Sequence, residues 1–333
     1  MKEALFYEDA GNGRVRCRLC HQACLIAPGK RGLCGVRENR DGRLLSLVYA
    51  RPVAQAVDPV EKKPLYHVLP GSRAFSFGTR GCNFRCLHCQ NCGISQVSTD
   101  EDFSEAPVEP AQIVSKAAAL GCAGIAYTYT EPTIFFEYAY DVAALARQAG
   151  LKNLFVTNGY IAPKPLRHIA PLLDAANIDL KFFRDDLYRK VCGARLQPVL
   201  DMILLHYELG IWIEITTLVI PGYNDDAGQL AQMAGFIANV DKDIPWHLSA
   251  FHPMYKLADA VPTPLSALER GRTLGLEAGL RHIYLGNVNE RSATRCTKCQ
   301  AALIERAGFR VVSNRLSEGR CPECATSIKG IWN

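Results

Sequence analysis

The stretch that most constrains this chain is Gly81–Gln90, GCNFRCLHCQ, which sets Cys82, Cys86 and Cys89 in a C-x3-C-x2-C pattern. The apolar run Ala74-Phe-Ser-Phe-Gly78 just before it reads as a short strand. The cysteines therefore fall on the loop that leaves a strand's C-terminal end. Three thiolates on one tight loop suit three irons of a 4Fe–4S cube and leave the fourth iron open to a substrate or cofactor. A structural zinc ion asks for four protein ligands. Cys92 stands near enough in sequence to be that fourth ligand, so zinc is the competing reading.

From Arg73 onward, short apolar runs alternate with helical patterns. The runs of strand length are Ala123–Tyr129, Asn153–Thr157, Asn177–Phe182, Trp212–Ile220, Trp246–Phe251 and His282–Gly286. The helical patterns are Pro110–Leu120, Ile134–Ala149, Pro165–Ala176, Gln197–Glu208, Asp226–Val240 and Pro264–Ala278, the last capped by Thr263. This alternation predicts an α/β fold with a parallel sheet and helices outside it. Six or seven units are fewer than a closed eight-fold barrel has. Polar residues recur at the ends of five strands, in Tyr127–Thr133, Thr157–Tyr160, Asp179–Lys181, Glu214–Asp225 and Ser249–Pro253. Such recurrence at one end of a βα sheet predicts a shared site.

Two further cysteine sets flank this region. Cys17, Cys20, Cys24 and Cys34 lie in a segment too short to build its own core, and such a segment needs a staple. Zinc is the first reading of this set, and an auxiliary iron–sulfur cluster is the alternative, because thiolates suit both. Cys296-x2-Cys299 and Cys321-x2-Cys324 read as the two knuckles of a zinc ribbon, again with a cluster as alternative. Gln300 and Ala325 replace the usual glycine after each knuckle, at positions that often need φ > 0. Cys122 and Cys192 read as buried packing thiols. The sequence thus divides into residues 1–70, 71–290 and 291–333. The N-terminus has no signal-peptide core and no apolar run reaches membrane-spanning length, which predicts a cytoplasmic protein, and 14 cysteines in that compartment point to metals rather than disulfides. Net charge is +5, and residues 281–333, with nine Lys/Arg against four Asp/Glu, carry all of it. A basic tail suggests an acidic partner such as nucleic acid. The blander account is that it offsets the negative charge of a four-thiolate zinc site.

The three-cysteine loop after a first strand resembles the radical S-adenosylmethionine (SAM) superfamily. Glu131-Pro132, Asn158-Gly159, Asp179-Leu-Lys181 and His252 make the chain similar to the branch containing pyruvate formate-lyase-activating enzyme. Cys34–Asn39, Glu61–His67, Tyr127–Thr133, Phe155–Ile161 and Glu214–Asn224 bring it nearest to the radical SAM family of the AmmeMemoRadiSam system. The resemblance implies a partial (β/α)6 TIM-type barrel. It implies a 4Fe–4S cluster on Cys82, Cys86 and Cys89, with SAM chelated at the open iron. Glu131 would meet SAM's amino group, Lys181 its carboxylate, His252 its ribose and His88 its adenine, with Asn158 and Asp179 shaping the same pocket. It further implies an electron donor of the flavodoxin or ferredoxin type and hydrogen abstraction from a protein or peptide substrate, with AMMECR-type and Memo-type proteins as partners. Rival readings are radical chemistry on RNA or a small molecule, and a non-catalytic metal-binding scaffold. Three departures stand out: Tyr129-Thr130 where the branch has two glycines, Val156 where it has an aspartate that helps hold a monovalent cation, and Cys92 where the subgroup has tryptophan.

Overall fold

Seven parallel strands and one antiparallel edge strand form the central sheet, in the order in which they occur in the chain. The computed structural model describes residues 1–98 and 101–333. The strands are β1 (Ala54–Pro59), β2 (Arg73–Gly78), β3 (Gly124–Tyr127), β4 (Lys152–Thr157), β5 (Ala175–Asp179), β6 (Trp212–Val219), β7 (Trp246–Ala250) and β8 (Ile283–Gly286). β1 pairs antiparallel with β2, and each later strand pairs parallel with the one before it. Helices α1 (Pro110–Ala119), α2 (Phe136–Gln148), α3 (Pro163–Ile169), α4 (Leu196–Glu208), α5 (Ala227–Val240) and α6 (Leu265–Glu277) lie in the crossovers. Local chemistry sets their starts. Glu109 and Gln112 exchange bonds in a capping box ahead of Pro110, and Asp226 accepts from Gln229 N at the start of α5. No helix among the described residues is long and apolar enough to cross a membrane.

Two local expectations are corrected. Helix α3 stops at Ile169, where Ala170–Leu172 tighten into a 3₁₀ turn, and Ala175 and Ala176 already belong to β5. Thr263 does not cap α6, whose cap position is Pro264. Instead the Thr263 hydroxyl donates to Val219 O at 2.5 Å and accepts from Phe251 N at 2.8 Å, tying together the ends of β6 and β7.

The two ends of the sheet are covered differently. At the strands' C-terminal ends, the amino-terminal segment packs as two small three-stranded sheets. It joins the segment after β4 through a bridge between Cys20 and Ile161 and bonds from His21 N to Tyr160 O and Ala162 N to Leu19 O. At the N-terminal ends, residues 60–70 and the carboxy-terminal segment close the floor. That segment is a three-stranded antiparallel sheet, Arg291–Arg295, Ala302–Ala307 and Arg310–Asn314. Glu214, buried in β6, accepts from Tyr66 N (2.9 Å) and His67 N (2.7 Å) and lies 2.6 Å from His247 Nε2. It therefore serves the floor and not the functional end to which its sequence pattern assigned it. Arg306, fully buried, bonds to Tyr66 O, Thr294 and Glu61, and its guanidinium covers the Tyr66 ring. From it runs a consistent donor chain: Arg306 to Thr294, Thr294 to Tyr284, Tyr284 to His67 Nε2, and His67 Nδ1–H to Lys329 O.

That chain requires a neutral His67. Burial, with His282, Arg306 and His247 close by, holds its pKa well below the usual 6.5. Burial also lowers neighbouring His282 to about 4, although Asp243 and Glu214 pull the other way. The unfolded chain therefore binds protons below pH 6.5 that the folded chain refuses, and stability falls as pH falls. Between pH 6.5 and 4, His282 alone accounts for at most about 3 kcal/mol. We expect urea midpoints to drop across this window, with the fluorescence of Trp332, which packs on His67, reporting the loss first. A flat midpoint down to pH 4 would contradict the neutral floor.

Candidate active site and metal centres

Residues 79–98 leave β2 at its C-terminal end and carry Cys82, Cys86 and Cys89. The loop is held from several sides: Gly81 N bonds to Ile94 O, Arg85 N to Cys192 O, Leu87 N to Val191 O, and Lys256 N to Leu87 O. Tyr188–Cys192 is a π-helical turn, a geometry frequent at functional sites, and it brings Cys192 against Cys86. Sequence reading placed Cys192 among packing thiols. It is fully buried as expected, but its contact with Cys86 pushes that thiol well up. Burial raises Cys82 and Cys89 as well. A metal at these sulfurs must therefore displace protons when it binds.

Glu131 lies beside this loop, and its placement is highly determined. Oε1 accepts from Thr133 N (3.1 Å), Thr133 Oγ1 (2.5 Å) and Thr157 Oγ1 (2.8 Å), while Oε2 accepts from Asn158 N (2.8 Å). A carboxylate offers about four acceptor positions, two per oxygen. Oε1 is saturated, and Oε2 keeps capacity for one more donor. Burial pushes the Glu131 pKa up against these four bonds. A cation at Oε2 would restore the charged form. Asn158 links this carboxylate to the loop: its Nδ2 donates to Asn83 Oδ1 at 2.7 Å and lies 3.9 Å from Cys82 Sγ. Thr133 and Thr157 belong to the polar strand-end stretches read from sequence, which gave them no individual role, and only its adjacency to Cys82 marks Asn83.

The two-glycine departure has a structural answer. Tyr129 takes φ 69°, the left-handed conformation that glycine would adopt easily. Its hydroxyl donates to Asp58 Oδ2 at 2.9 Å, and Lys63 Nζ sits over its ring. These contacts hold the strained residue in place.

At the end of β5, Lys181 Nζ pairs with Asp179 Oδ2 at 2.7 Å. Burial works against the ammonium, but Asp179 and the thiols of Cys86 and Cys192 outweigh it and raise the pKa well above normal. His88 is buried, and burial together with Lys181 lowers it to about 3, so the ring is neutral. Its Nδ1 has no hydrogen-bond partner among the described residues. His252 is exposed beyond β7, and no side-chain bond joins it to the other site residues.

These residues fit a cluster with SAM. Three thiols share one loop, a preset carboxylate has one acceptor place left, an ammonium lies near Cys86, and a buried imidazole nitrogen is unpartnered. Cube thiolates bind different irons and so stand further apart than the ligands of one ion.

At the other end of the molecule, Cys296, Cys299, Cys321 and Cys324 bring their sulfurs within 4.8 Å of one another, the one such group among the described residues. Cys296 and Cys324 are 3.5 Å apart and Cys299 and Cys321 3.6 Å apart. A tetrahedral ion with metal–sulfur bonds of about 2.3 Å sets sulfurs about 3.8 Å apart, close to these values. Gln300 and Ala325 take φ 61° and 56°, the positive angles expected after each knuckle. Four of the tail's nine cations pair within the molecule, Arg281, Arg306, Arg315 and Lys329 with Asp243, Glu61, Glu323 and Asp241, while Arg291, Arg295, Lys298, Arg310 and Arg320 are exposed and make no ion pair among the described residues.

Comparison with known proteins bears on this site. The model of the "Radical SAM superfamily" matches residues 77–234. A protein of Methanocaldococcus jannaschii, described only as uncharacterized, is 44% identical over 333 residues, covering 98% of this chain and 99% of that one. The pyruvate formate-lyase 1-activating enzyme of Escherichia coli is 24% identical over 222 residues, covering 60% of this chain and 87% of its own. Among solved structures, a radical SAM methyltransferase from Sphaerobacter thermophilus shares the fold with a TM-score of 0.50 at 13% identity, over 70% of each chain.

The carboxy-terminal geometry carries its own prediction. Purified protein should hold one tightly bound divalent ion there, and Cys299→Ser should lower the zinc content by about one ion per chain. Elemental analysis checks this, and unchanged zinc in the variant would remove Cys299 from the ligand set.

Proposed function

Because the chain belongs to the radical SAM superfamily, we propose that it cleaves SAM at a 4Fe–4S cluster held by Cys82, Cys86 and Cys89 and acts on a protein or peptide. When bound, the cluster and SAM supply one-electron cleavage to methionine and a 5′-deoxyadenosyl radical that abstracts hydrogen. The observation that carries the reading is the hydrogen-bonded unit of Cys82, Asn83, Asn158 and Glu131, which fixes a carboxylate beside a three-cysteine loop.

In this reading each residue of the chain has a defined task. Glu131 Oε2 receives the SAM ammonium. Lys181, paired with Asp179 at 2.7 Å, would turn toward the SAM carboxylate, which replaces Asp179 as its counter-charge. The neutral His88 ring would receive the adenine, and His252, exposed after β7, would meet the ribose. An enclosed site would keep the radical from hydrogen donors other than the substrate. Cys82, Cys86 and Cys89 would hold three irons of the cluster, with Cys192 outside the ligand set.

The similarity to pyruvate formate-lyase-activating enzyme, a protein-directed enzyme by name, supports a protein or peptide substrate, including a glycine of a partner chain. A flavodoxin- or ferredoxin-type donor supplies the electron. The stretches that resemble the AmmeMemoRadiSam family point to AMMECR-type and Memo-type proteins as the first partners to try.

Two outcomes are expected. Glu131→Gln and Lys181→Ala should keep cluster iron yet weaken SAM binding by about 2–5 kcal/mol, roughly thirty-fold or more, because each leaves a SAM charge unpaired. Wild-type affinity in both variants would remove these residues from the site. In anaerobic assays with candidate partners deuterated at glycine Cα, deuterium should appear in 5′-deoxyadenosine. Transfer from RNA or a small molecule, with none from any protein, would overturn the substrate class.

A further inference from the structure

The amino-terminal cysteines do not resemble the carboxy-terminal set in geometry. Cys17, Cys20, Cys24 and Cys34 together line one small pocket with Arg37 and Asn83. Their sulfurs do not close to the 4.8 Å spacing that the carboxy-terminal four reach. A single tetrahedral ion draws four thiolates onto one point. A cluster spreads its thiolates over several irons around an inorganic core, and so holds their sulfurs further apart.

Two observations show what the hollow is built to hold. Arg37 lines it, is 2% exposed, and bonds through Nη2 to Glu137 Oε2 at 2.5 Å. Its Nε and Nη1 are buried without a partner among the described residues. These are unmet N–H donors beside four thiols, suited to sulfur acceptors carrying negative charge. Gly32 also borders the hollow, and a Cβ there would sit 3.2 Å from Ile26 Cδ1 and 3.7 Å from Cys24 Sγ. The rest of the lining is mostly apolar, including Leu19, Ile26 and Ile134.

The hollow also adjoins the three-cysteine loop. Asn83 lines it directly, and Gln22 Nε2 bonds to Asn83 O at 2.8 Å. A Cβ on Gly81 would come within 2.7 Å of Cys34 O, so the two cysteine segments touch at backbone distance. The carboxy-terminal set lies on the floor, at the opposite end of the sheet.

We infer that Cys17, Cys20, Cys24 and Cys34 hold an iron–sulfur cluster rather than a zinc ion, next to the Cys82–Cys89 loop. The four thiolates supply all of its protein ligands, and Arg37 donates to its sulfurs.

The test reconstitutes the full-length chain anaerobically with ferrous iron and sulfide and counts metals. A variant carrying Cys82→Ala, Cys86→Ala and Cys89→Ala should keep about two to four irons with matching sulfide, as a 2Fe–2S or 4Fe–4S centre would give. Adding Cys17→Ser and Cys34→Ser should abolish that iron and leave about one zinc per chain. Loss of all iron in the first variant, or iron that survives the added substitutions, overturns the inference. If the variants fail to fold, native mass spectrometry of the wild-type holoprotein decides. Two clusters and one zinc support the site; one cluster with one or two zincs refutes it. Because the first variant lacks the loop thiols, its result does not depend on whether the protein cleaves SAM.

Discussion

The buried carboxylate of Glu131 sets the geometry of the functional end. Four hydrogen bonds from Thr133, Thr157 and Asn158 fix it between the ends of β3 and β4. Asn158 then carries that position to Asn83 and Cys82. A carboxylate so deeply buried is costly unless its acceptors are met. The one acceptor place left at Oε2 is thus the place for a cationic ligand. The left-handed Tyr129, tied to Asp58 and Lys63, holds the same turn from the other side. A neighbouring requirement governs the floor, where Glu214 and Arg306 satisfy the backbone of Tyr66 and His67. Both ends of the sheet are therefore organised around buried charge, one closed by the chain itself and one left open.

Much of this was legible before any coordinates. The seven parallel strands follow from short apolar runs between helical patterns, and the cysteine loop from its spacing. What periodicity could not show is which end of a strand a polar residue serves. Glu214 sits three residues into an eight-residue strand and faces the floor, although its sequence neighbours Asn224 and Asp225 lie at the other end. Thr263 looked like a helix cap because Pro264 follows it, yet two strand ends compete for its hydroxyl and win. Cys192 carries no motif, and only the π-helical turn brings it to Cys86. Nor does spacing reveal whether four cysteines converge on a point or surround a space, since that depends on Arg37, Gly32 and Asn83 from separate segments.

The two appended units also differ in what they do for the sheet. The carboxy-terminal sheet locks onto the floor through Arg306 and Lys329, remote from the site, which suits a structural metal. The amino-terminal sheets share one hydrophobic core with the central sheet and reach the cysteine loop through Gln22 and Leu33. Metal there would sit within the functional end, where its redox properties matter and not only its folding contribution.

The central claim is that three loop thiols and a preset carboxylate form a site for SAM at an open iron. The most direct measurement omits any partner. Reduced, anaerobic protein is mixed with SAM alone, and the products are quantified against cluster content. The account predicts 5′-deoxyadenosine and methionine in equal amounts, both lost in Cys86→Ala. SAM that stays intact while the cluster is fully reduced would contradict it.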